Sequence, residues 1–293
     1  MKIQESMPTT KVARSAKFIE TGFRIGGNYV KHFSKKLFNP DLTRDELNED
    51  NAEDIYNSLS ELKGSALKIA QMLSMDKNVL PKAYVSRFTQ SQYNAPPLSG
   101  PLIIKTITKS FGKSPEKIFD TFDLNSVRAA SIGQVHVATL NGKKLAIKIQ
   151  YPGVADSISS DLKLVKPFAF RLLGMNEKEL NIYIKEVEER LLEETDYELE
   201  VRRSIEFSKA CSKLSNVIFP VYYPELSSAK IITMDWIEGL HLKEFLATNP
   251  SQKLKNKIGQ ALWDFYNFQQ HEIKAVHADP HPGNFLITPD EKL

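Results

Sequence analysis

The chain has 293 residues, of which 41% are hydrophobic, enough for one large or two modest packed domains and too many for a disordered protein. Its 39 basic and 36 acidic residues nearly balance, so a net charge of +3 does not indicate a nucleic-acid-binding protein. The charge is uneven, with a basic excess in residues 1–40 and an acidic excess in residues 41–63. The single cysteine, Cys211, excludes an internal disulfide, favours a reducing compartment and is expected to fill the core.

The sequence has no segment that predicts a membrane span. No stretch approaches about 18 consecutive apolar residues and the N-terminus lacks a signal-peptide core, so we expect a cytoplasmic protein. A first amphipathic helix is predicted by apolar residues at alternating steps of four and three, in Val12, Ala16, Ile19, Phe23, Gly26, Val30, Phe33 and Leu37. With its interspersed lysines and arginines, such a helix rests on an anionic membrane, as a peripheral contact, or packs on the protein. We expect packing, the commoner arrangement.

A second helix is predicted between residues 55 and 73, with a lysine and a glutamine on its polar side. Apolar residues again recur at steps of four and three, in Ile55, Leu59, Leu62, Ala66, Ile69 and Leu73. At about 100° per residue, Lys68 and Gln71 fall in a narrow arc opposite this stripe. Such side chains usually form a solvated face, so the pattern alone assigns them no role.

A hairpin with a small-residue loop before it follows a predicted domain boundary near residue 100, where several prolines cluster. Residues 134–140 alternate in polarity, Asn141-Gly142 indicates a tight turn, and residues 145–149 return as a second strand. The loop of residues 129–133 is mostly small, as a backbone that approaches a phosphate requires. Residues 145–148 are similar to the Val-Ala-Ile-Lys motif, whose lysine contacts the α and β phosphates, although a lysine at a strand end is otherwise a solubilising edge residue.

Acidic residues lie at a predicted junction between two helices. Residues 156–173 and 177–192 are predicted helices, and a capping-box pattern at residues 195–198 predicts that one helix ends near Glu193 and the next begins at Asp196. Glu194 and Asp196 then lie at the junction and Glu200 inside the second helix, although acidic runs are generally solvated. Short strands at 217–221 and 230–234, a connector at 235–239 and helices at 242–248 and 254–271 follow.

The segment from His277 to Phe285 has the spacing of a phosphoryl-transfer loop. His277, Asp279 and Asn284 match the kinase signature of a His, an Asp two residues later and an Asn five residues after that Asp. Asp279 would orient the proton of the attacking hydroxyl, and Asn284 would offer its amide oxygen to magnesium. The alternative is a surface turn that leads into a short strand.

These elements occur in the order found in protein kinases, and from about residue 50 the chain resembles the AarF/UbiB family of atypical kinase-like proteins, which support quinone biosynthesis and lipid homeostasis. Residues 63–76 are similar to that family's Lys-x-Gly-Gln helix, residues 129–136 to its alanine-rich nucleotide loop, and residues 194–196 to its Glu-x-Asp motif. The resemblance implies an α+β, protein-kinase-like two-lobed fold, and it implies that the protein binds ATP and Mg²⁺ as cofactors. It also implies a small or lipid-like ligand such as a quinone precursor.

The resemblance implies specific residue roles. Lys148 would hold the nucleotide phosphates with Glu200 as its ion-pair partner, and Asp279 would complete the catalytic set. Lys68 and Gln71 would enter the active site and meet Glu194 and Asp196. Cofactor-binding groups would come from the loop and from the hinge between the lobes, at Ala129, Ala130, Ser131, Ile132, Gly133, Gln134, Met234, Trp236 and Ile237, and the metal would be bound by Asn284.

The predicted domains are a helical extension at 1–100, a kinase-like N-lobe with inserted helices at 101–235, and the hinge with a partial C-lobe at 236–293. No Asp-Phe-Gly triplet follows Asp279, so we expect a fragment whose C-lobe is incomplete. We also expect that the helix face of Phe265 and Phe268 lacks a cover. The function predicted for the whole protein is that of an ATP-dependent phosphotransferase or ATPase.

Two other hypotheses fit part of the sequence. Small-molecule kinases of the aminoglycoside or choline type have an Asp-x-His-x-x-Asn loop, which Asp279 to Asn284 also matches. Phosphorylation of a soluble aminoglycoside or choline would favour this small-molecule-kinase hypothesis. The other hypothesis is a pseudokinase scaffold that binds nucleotide without turnover, and it is motivated by the missing Asp-Phe-Gly triplet.

Overall fold

The structure is a computed structural model and describes residues 10–39, 41, 43, 45–62, 68, 81–90, 97–125, 127–129, 132–173, 176–277 and 282–293. Its helices are α1 (Lys11–Phe38), α2 (Asp45–Leu62), α3 (Lys82–Gln90), α4 (Gly100–Phe111), α5 (Val154–Leu173), α6 (Glu177–Glu194), α7 (Tyr197–Ala210), α8 (Leu242–Ala247) and α9 (Gln252–Phe268). Its strands are β1 (Thr121–Phe122), β2 (Arg128–Ala129), β3 (Gly133–Leu140), β4 (Lys143–Gln150) and β5 (Ile231–Asp235). This combination confirms the predicted mixed helix and sheet class.

The sheet is antiparallel, in the order β1-β3-β4-β5, and β2 also pairs with β3. The predicted hairpin is confirmed as β3 and β4, where Leu140 faces Lys143. Its two turn residues, Asn141 and Gly142, have φ angles of 51° and 75°. Both angles lie in the left-handed region that the favoured two-residue hairpin turn requires, and asparagine and glycine tolerate it best.

Helices α4 and α7 share one hydrophobic core with the sheet. The members of this core include Ile103 and Ile107 of α4, Ile147 and Ile149 of β4, and Tyr197 and Val201 of α7. Ile107, Ile147 and Tyr197 are fully buried. This core fixes α7, and therefore Glu200, against the strand that carries Lys148.

A neutral hydrogen-bond network crosses the same core. The backbone N–H of Leu98 donates to the Gln134 side-chain oxygen (2.8 Å), and the Gln134 amide nitrogen lies 2.9 Å from His136 Nε2. His136 Nδ1 lies 2.9 Å from the carbonyl oxygen of Asp123, so the bonds are satisfied when Nδ1 carries the proton. Burial lowers the pKa of His136, although the carbonyl of Asp123 opposes this shift, and the neutral form is favoured.

A second core joins the N-terminal helices to α5 and α6. Its buried members include Phe18, Leu59, Tyr84, Leu162 and Leu191. Helices α5 and α6 fall within the predicted N-lobe, yet they pack on α1, α2 and α3. The predicted domain boundaries are not tested by these contacts and stay a prediction.

A buried ion pair lies where α1, α2 and α5 meet. Arg14 and Asp161 have side chains that are 1% and 0% exposed, and two guanidinium nitrogens of Arg14 donate to the two carboxylate oxygens at 2.7 and 2.5 Å. A further Arg14 nitrogen donates to the carbonyl oxygen of Leu62 at 2.8 Å, and Ser157 donates to Asp161. The pair therefore holds three helices at one point.

Helix α1 packs through the face opposite to the one we expected. All residues of the predicted apolar stripe are exposed; Val12, Phe23 and Leu37, for example, are 81%, 78% and 83% exposed. The buried side instead carries Arg14, Phe18, Thr21 and His32. The expectation that the stripe packs on the protein is therefore wrong, because the Arg14–Asp161 pair turns the other face inward. Among the described residues, no helix has the length and apolar character needed to cross a bilayer.

The C-terminal part differs from the prediction in two places. Of the two short strands predicted here, the structure has only β5. Within residues 217–221, the Val221 carbonyl oxygen accepts the backbone N–H of Asp235, whereas the backbone N–H of Ile218 donates to Leu293. The side chain of Phe265 is buried, at 5% exposure, against Phe207, Phe219 and Phe285, so the expected bare face is wrong at this residue. Cys211 follows α7 and is buried, as predicted.

Candidate functional site

The candidate site is centred on an ion pair between the sheet and α7. Lys148 lies on β4, between Val135 of β3 and Ile232 of β5, and Glu200 lies one turn into α7. The ammonium nitrogen of Lys148 donates to both carboxylate oxygens of Glu200, at 2.7 and 2.9 Å. Both side chains are partly buried, at 24% and 35% exposure, so the pair is shielded from water and still accessible to a ligand.

The surroundings of Lys148 stabilise its charge. Its ammonium nitrogen lies 4.7 Å from the centroid of the Tyr197 ring, a cation–π distance. Burial on its own lowers the pKa of Lys148, but Tyr197, Glu200 and Glu194 together outweigh it and raise the pKa above its ordinary value. Lys148 is therefore a permanent cation at neutral pH, which suits a phosphate ligand.

The junction between α6 and α7 brings a second ion pair next to the first. Helix α6 ends at Glu194, whose carboxylate lies 2.9 Å from the ammonium nitrogen of Lys68. Asp196 is the N-cap residue of α7, and its carboxylate accepts the backbone N–H of Leu199 at 2.9 Å. The Asp196 side chain is exposed. Gln71, predicted to lie beside Lys68, is outside the described residues. The roles of these residues stay predictions.

The predicted nucleotide loop is described in part. Ala130 and Ser131 lie outside the described residues, whereas Ala129 pairs with Gln134 across β2 and β3. Ile132 is buried, and its carbonyl oxygen accepts the backbone N–H of Tyr151. The Gln134 side chain is occupied in the core network, so only its backbone is available to a ligand.

Gly133 is needed because two groups crowd its α-carbon. A Cβ atom at this position would lie 2.7 Å from the carbonyl oxygen of Ile149 and 2.8 Å from the hydroxyl oxygen of Tyr197. Real Cβ atoms do not approach other atoms this closely, so any side chain would displace β4 or the Tyr197 ring. The start of β3 is therefore held tightly on the residues around Lys148.

The predicted hinge continues from β5. Met234 pairs with Ala146, and the backbone N–H of Trp236 donates to the carbonyl oxygen of Lys144 at 3.1 Å. The Lys144 ammonium lies 4.7 Å from the Trp236 ring centroid and 2.6 Å from Glu238. Like Trp236, Ile237 is half-buried. The hinge is thus anchored on the strand that carries Lys148.

The segment after the hinge lies against the end of the chain. Leu240 and Ile287 exchange two backbone hydrogen bonds, at 2.9 and 2.8 Å. Gly239 allows this approach, since its Cβ would lie 2.9 Å from the Ile287 carbonyl oxygen. Asn284, the predicted metal ligand, is exposed in the turn of Pro282–Asn284 just before this contact. Asp279 lies outside the described residues.

A buried glutamine, missed in the sequence analysis, holds the start of the predicted catalytic segment. Gln269 is fully buried, and its side-chain oxygen accepts the backbone N–H of His277 at 2.7 Å. Its sequence position contained a signal, because Ile258, Leu262, Phe265 and Gln269 continue the apolar steps of four and three. A polar residue in a buried stripe needs a hydrogen-bond partner, and here that partner is the segment before Asp279.

A second missed contact joins Arg128, just before the predicted nucleotide loop, to Phe285, just after the predicted metal-ligand turn. A guanidinium nitrogen of Arg128, in β2, lies 2.6 Å from His241 Nε2, and His241 Nδ1 lies 3.0 Å from the carbonyl oxygen of Phe285. Nδ1–H therefore donates to Phe285, and Nε2 accepts from Arg128. His241 precedes α8, and its backbone N–H donates to Glu244. No sequence pattern indicated Arg128.

The described side chains fit a nucleotide-binding site better than they form a metal-binding site. Lys148, held by one carboxylate, suits an anionic phosphate, and the half-buried hinge suits a flat base. Across the described part of the chain, no group of three or more His, Cys, Asp or Glu side chains is placed to bind a metal ion. Asn284 is the predicted metal ligand that the structure describes, and Asp279 lies outside the described residues.

The chain is similar in sequence to several known proteins. Residues 90–293 match the family model of the ABC1 atypical kinase-like domain. The chain is 32% identical to the mitochondrial atypical kinase COQ8 of Saccharomyces cerevisiae, over 96% of this chain and 57% of that protein. It is 29% identical to an ABC1 family protein of Schizosaccharomyces pombe, over 94% of this chain and 52% of that protein.

A solved structure shares the fold. The Rv3197–erythromycin complex of Mycobacterium tuberculosis superposes with a TM-score of 0.57 and 29% identity, covering 84% of this chain and 63% of that one. The chain spans about half the length of the first curated relatives that it matches. The family match covers most of the chain and includes the Lys148–Glu200 pair. This chain therefore belongs to the ABC1 atypical kinase-like family.

Proposed function

We propose that the whole protein is an ATP-binding phosphotransferase or ATPase of the atypical kinase type, acting on a small or lipid-like substrate or a partner in isoprenoid quinone biosynthesis or lipid homeostasis. The observation that carries the proposal is the bidentate Lys148–Glu200 contact between β4 and α7. A kinase-like site needs this lysine held in one orientation toward the phosphates. The names of relatives such as the yeast protein, an atypical kinase, support the same class.

Each side chain has a defined part in this proposal. Lys148 binds and orients the phosphates, while Glu200 and Tyr197 keep its ammonium in place. Gln269 fixes the backbone at His277, and thereby the approach to Asp279, which holds the proton of the attacking group. Magnesium, when bound, neutralises charge on the phosphates, with Asn284 as one ligand.

The second ion pair supports a small or lipid-like substrate over a peptide. Lys68 reaches Glu194 from a segment N-terminal to the sheet, next to the end of α7 that carries the Lys148 partner. By the family resemblance, the predicted helix around Lys68 would occupy space in front of the site. Small-molecule kinases of the aminoglycoside type have no counterpart of this contact, so it favours the main proposal over that alternative.

The experiment that tests the function is equilibrium binding of ATP and ADP with magnesium, with phosphate release followed in parallel. The full-length protein, its Lys148→Ala variant and its Asp279→Asn variant are compared, with Lys143→Ala, an exposed lysine of the same strand, as the matched control. We expect Lys148→Ala to lose binding, Asp279→Asn to bind nucleotide without releasing phosphate, and Lys143→Ala to bind nucleotide and release phosphate. Unchanged nucleotide affinity in Lys148→Ala contradicts the proposal, and binding without release in the unmodified protein favours a scaffold.

A second proposal concerns the outward face of α1, which contacts an anionic membrane. Its apolar residues are exposed as one stripe, with Phe23, Val30 and Phe33 at 78%, 69% and 57%. Lys31 and Lys36 are exposed on the same helix. An apolar face beside lysines is the composition of helices that lie on anionic bilayers. The cytoplasmic location expected from composition stays a prediction, since relatives carry names that place them in mitochondria or chloroplasts.

Vesicle binding tests this second proposal. The protein should cosediment with vesicles of phosphatidylglycerol and phosphatidylcholine, and much less with phosphatidylcholine alone. The double variant Phe23→Ser/Val30→Ser should lose cosedimentation, whereas Ala13→Ser, on the same helix, should retain it. Equal binding by the double variant contradicts the proposal.

A further inference from the structure

Tyr197 is a buried aromatic residue that lies between the two halves of the candidate phosphate site. It is the first residue of α7, three residues before Glu200, so both side chains project from the same side of the helix. Its side chain is fully buried in the sheet core. The sequence motifs give it no role, because it falls between the Glu-x-Asp motif and the paired glutamate.

The ring face of Tyr197 supports the ammonium of Lys148. The nitrogen lies 4.7 Å from the ring centroid while it donates to both oxygens of Glu200. The ammonium is therefore bounded by a carboxylate on one side and by the negative face of an aromatic ring on another. A carboxylate alone leaves a lysine free to swing about it, and a ring face removes part of that freedom.

The other end of Tyr197 lies against the nucleotide loop. Its hydroxyl oxygen would lie 2.8 Å from a Cβ at Gly133, so it touches the backbone where β3 begins. Within the described part of the chain this oxygen is buried and has no hydrogen-bond partner. One rigid side chain thus spans from Lys148 to the Gly133 backbone, and the hydroxyl makes no bond that would explain why a tyrosine is needed there.

The helix junction holds Tyr197 in place from both sides. The side-chain amide of Gln150 donates to the carbonyl oxygen of Thr195 at 2.8 Å, and Asp196 caps the first turn of α7. Glu194, the last residue of α6, pairs with Lys68 at 2.9 Å. The ring therefore has little freedom to move away from Lys148.

We propose that Tyr197 is a positioning residue that fixes the Lys148 ammonium relative to the Gly133 backbone through its ring face, while its hydroxyl is dispensable. The proposal rests on the proposed function insofar as the positioned lysine receives a nucleotide phosphate. The placement of the lysine itself does not depend on that function. The two claims can therefore fail separately.

The experiment measures the chemical reactivity of Lys148 together with nucleotide affinity. Acetic anhydride in limiting amount acylates lysines in the folded full-length protein, and mass spectrometry compares the peptide of Lys148 with that of Lys144. The variants are Tyr197→Phe, which keeps the ring, and Tyr197→Met, which keeps most of the volume without a ring face. Tyr84→Met, a buried tyrosine of the helical core, controls for general loss of stability.

We expect Tyr197→Phe to match the unmodified protein within about twofold in both measurements. Tyr197→Met should raise the Lys148 acylation rate about three- to tenfold relative to Lys144 and weaken ATP and ADP binding by a similar factor. Tyr84→Met should change neither. If Tyr197→Met does not fold, 3,4,5-trifluorophenylalanine at position 197 keeps the shape, weakens the negative ring face and should raise Lys148 reactivity in the same direction.

Three results overturn the proposal. Unchanged Lys148 reactivity in the ring-altered variants removes the positioning role, and a Tyr197→Phe variant as impaired as Tyr197→Met assigns the effect to the hydroxyl. A parallel rise for Lys144 shows a general loosening of β4. Absence of nucleotide binding in the unmodified protein contradicts the proposed function alone, because the acylation comparison still tests the placement of Lys148.

Discussion

The helical core and the sheet core bury polar groups in opposite ways. The helical core is joined by a charged pair, Arg14 and Asp161, whereas the sheet core contains a neutral network through Gln134 and His136. A buried charge is costly unless its partner is present, while a neutral network tolerates the loss of one bond better. The helical region therefore depends on one contact, whereas the sheet region depends on close packing around Lys148.

The largest expected effect comes from breaking the charged pair. Arg14→Met should lower the free energy of unfolding by about 3–5 kcal/mol, because Asp161 is left buried without its partner. Denaturant titration measures this loss. The combined variant Arg14→Met/Asp161→Leu should recover much of it, since no unpaired charge remains. Arg24→Met, from an exposed pair on the same helix, should change stability far less. Equal losses for Arg14→Met and Arg24→Met would contradict the comparison.

A single methyl group should disturb the sheet region. Gly133→Ala should destabilise the protein by about 1–3 kcal/mol, because its Cβ would overlap the Ile149 carbonyl and the Tyr197 hydroxyl. Thermal unfolding measures the change. The matched control is Gly259→Ala in α9, where a Cβ meets nothing within 4 Å and alanine favours the helix, so a small gain is expected. A tolerated Gly133→Ala would mean that packing around Lys148 is loose.

The sheet core should lose stability in acid. The pKa of His136 is lowered by burial, so the unfolded chain binds its proton more readily than the folded one. The stability that this histidine contributes is present above its ordinary value of 6.5 and is lost as pH falls below it. Denaturant titrations from pH 8 to pH 5 should show this loss. His136→Gln should flatten the profile, whereas His271→Gln, an exposed control, should leave it unchanged.

The smallest effect on stability is expected at the contact that joins β2 to the C-terminal segment. Arg128→Ala removes an exposed bond to His241 and should leave the melting temperature nearly unchanged. Nucleotide affinity should nevertheless fall about two- to fivefold, because the loop loses its tie to the Phe285 carbonyl through His241. Isothermal titration with ADP and magnesium measures this. An equal loss in His241→Ala, without further loss in the double variant, would show that both residues act through one contact.

The sequence predicted the features that depend on local chemistry. The hairpin at Asn141-Gly142 is confirmed, because its turn needs residues that tolerate positive φ. The α6–α7 junction lies within a residue of its predicted position, because capping preferences are local. Family resemblance predicted the Lys148–Glu200 contact, which no periodicity could have given, since 52 residues separate the two side chains.

The features that the sequence did not predict depend on tertiary contacts between segments that are distant in the chain. The steps of four and three in α1 define a helix but not which face packs, and one buried arginine decided the matter. Residues 217–221 have the composition of a strand, yet a backbone hydrogen bond joins Val221 to β5 and another joins Ile218 to Leu293, because pairing depends on the partner as well as on the segment. Arg128 and His241 meet across 113 positions, with no local pattern that marks either.

The labelling rate of Cys211 can report how often the helix that carries Glu200 opens at its end. Its thiol is 2% exposed where α7 ends, burial raises its pKa, and the sequence contains no other cysteine. A thiol reagent therefore reacts only when the end of α7 opens, and the rate at high reagent concentration equals the opening rate. A nucleotide that binds Lys148 should slow this reaction. Nucleotide binding can then be measured from the labelling rate of Cys211, without observing turnover.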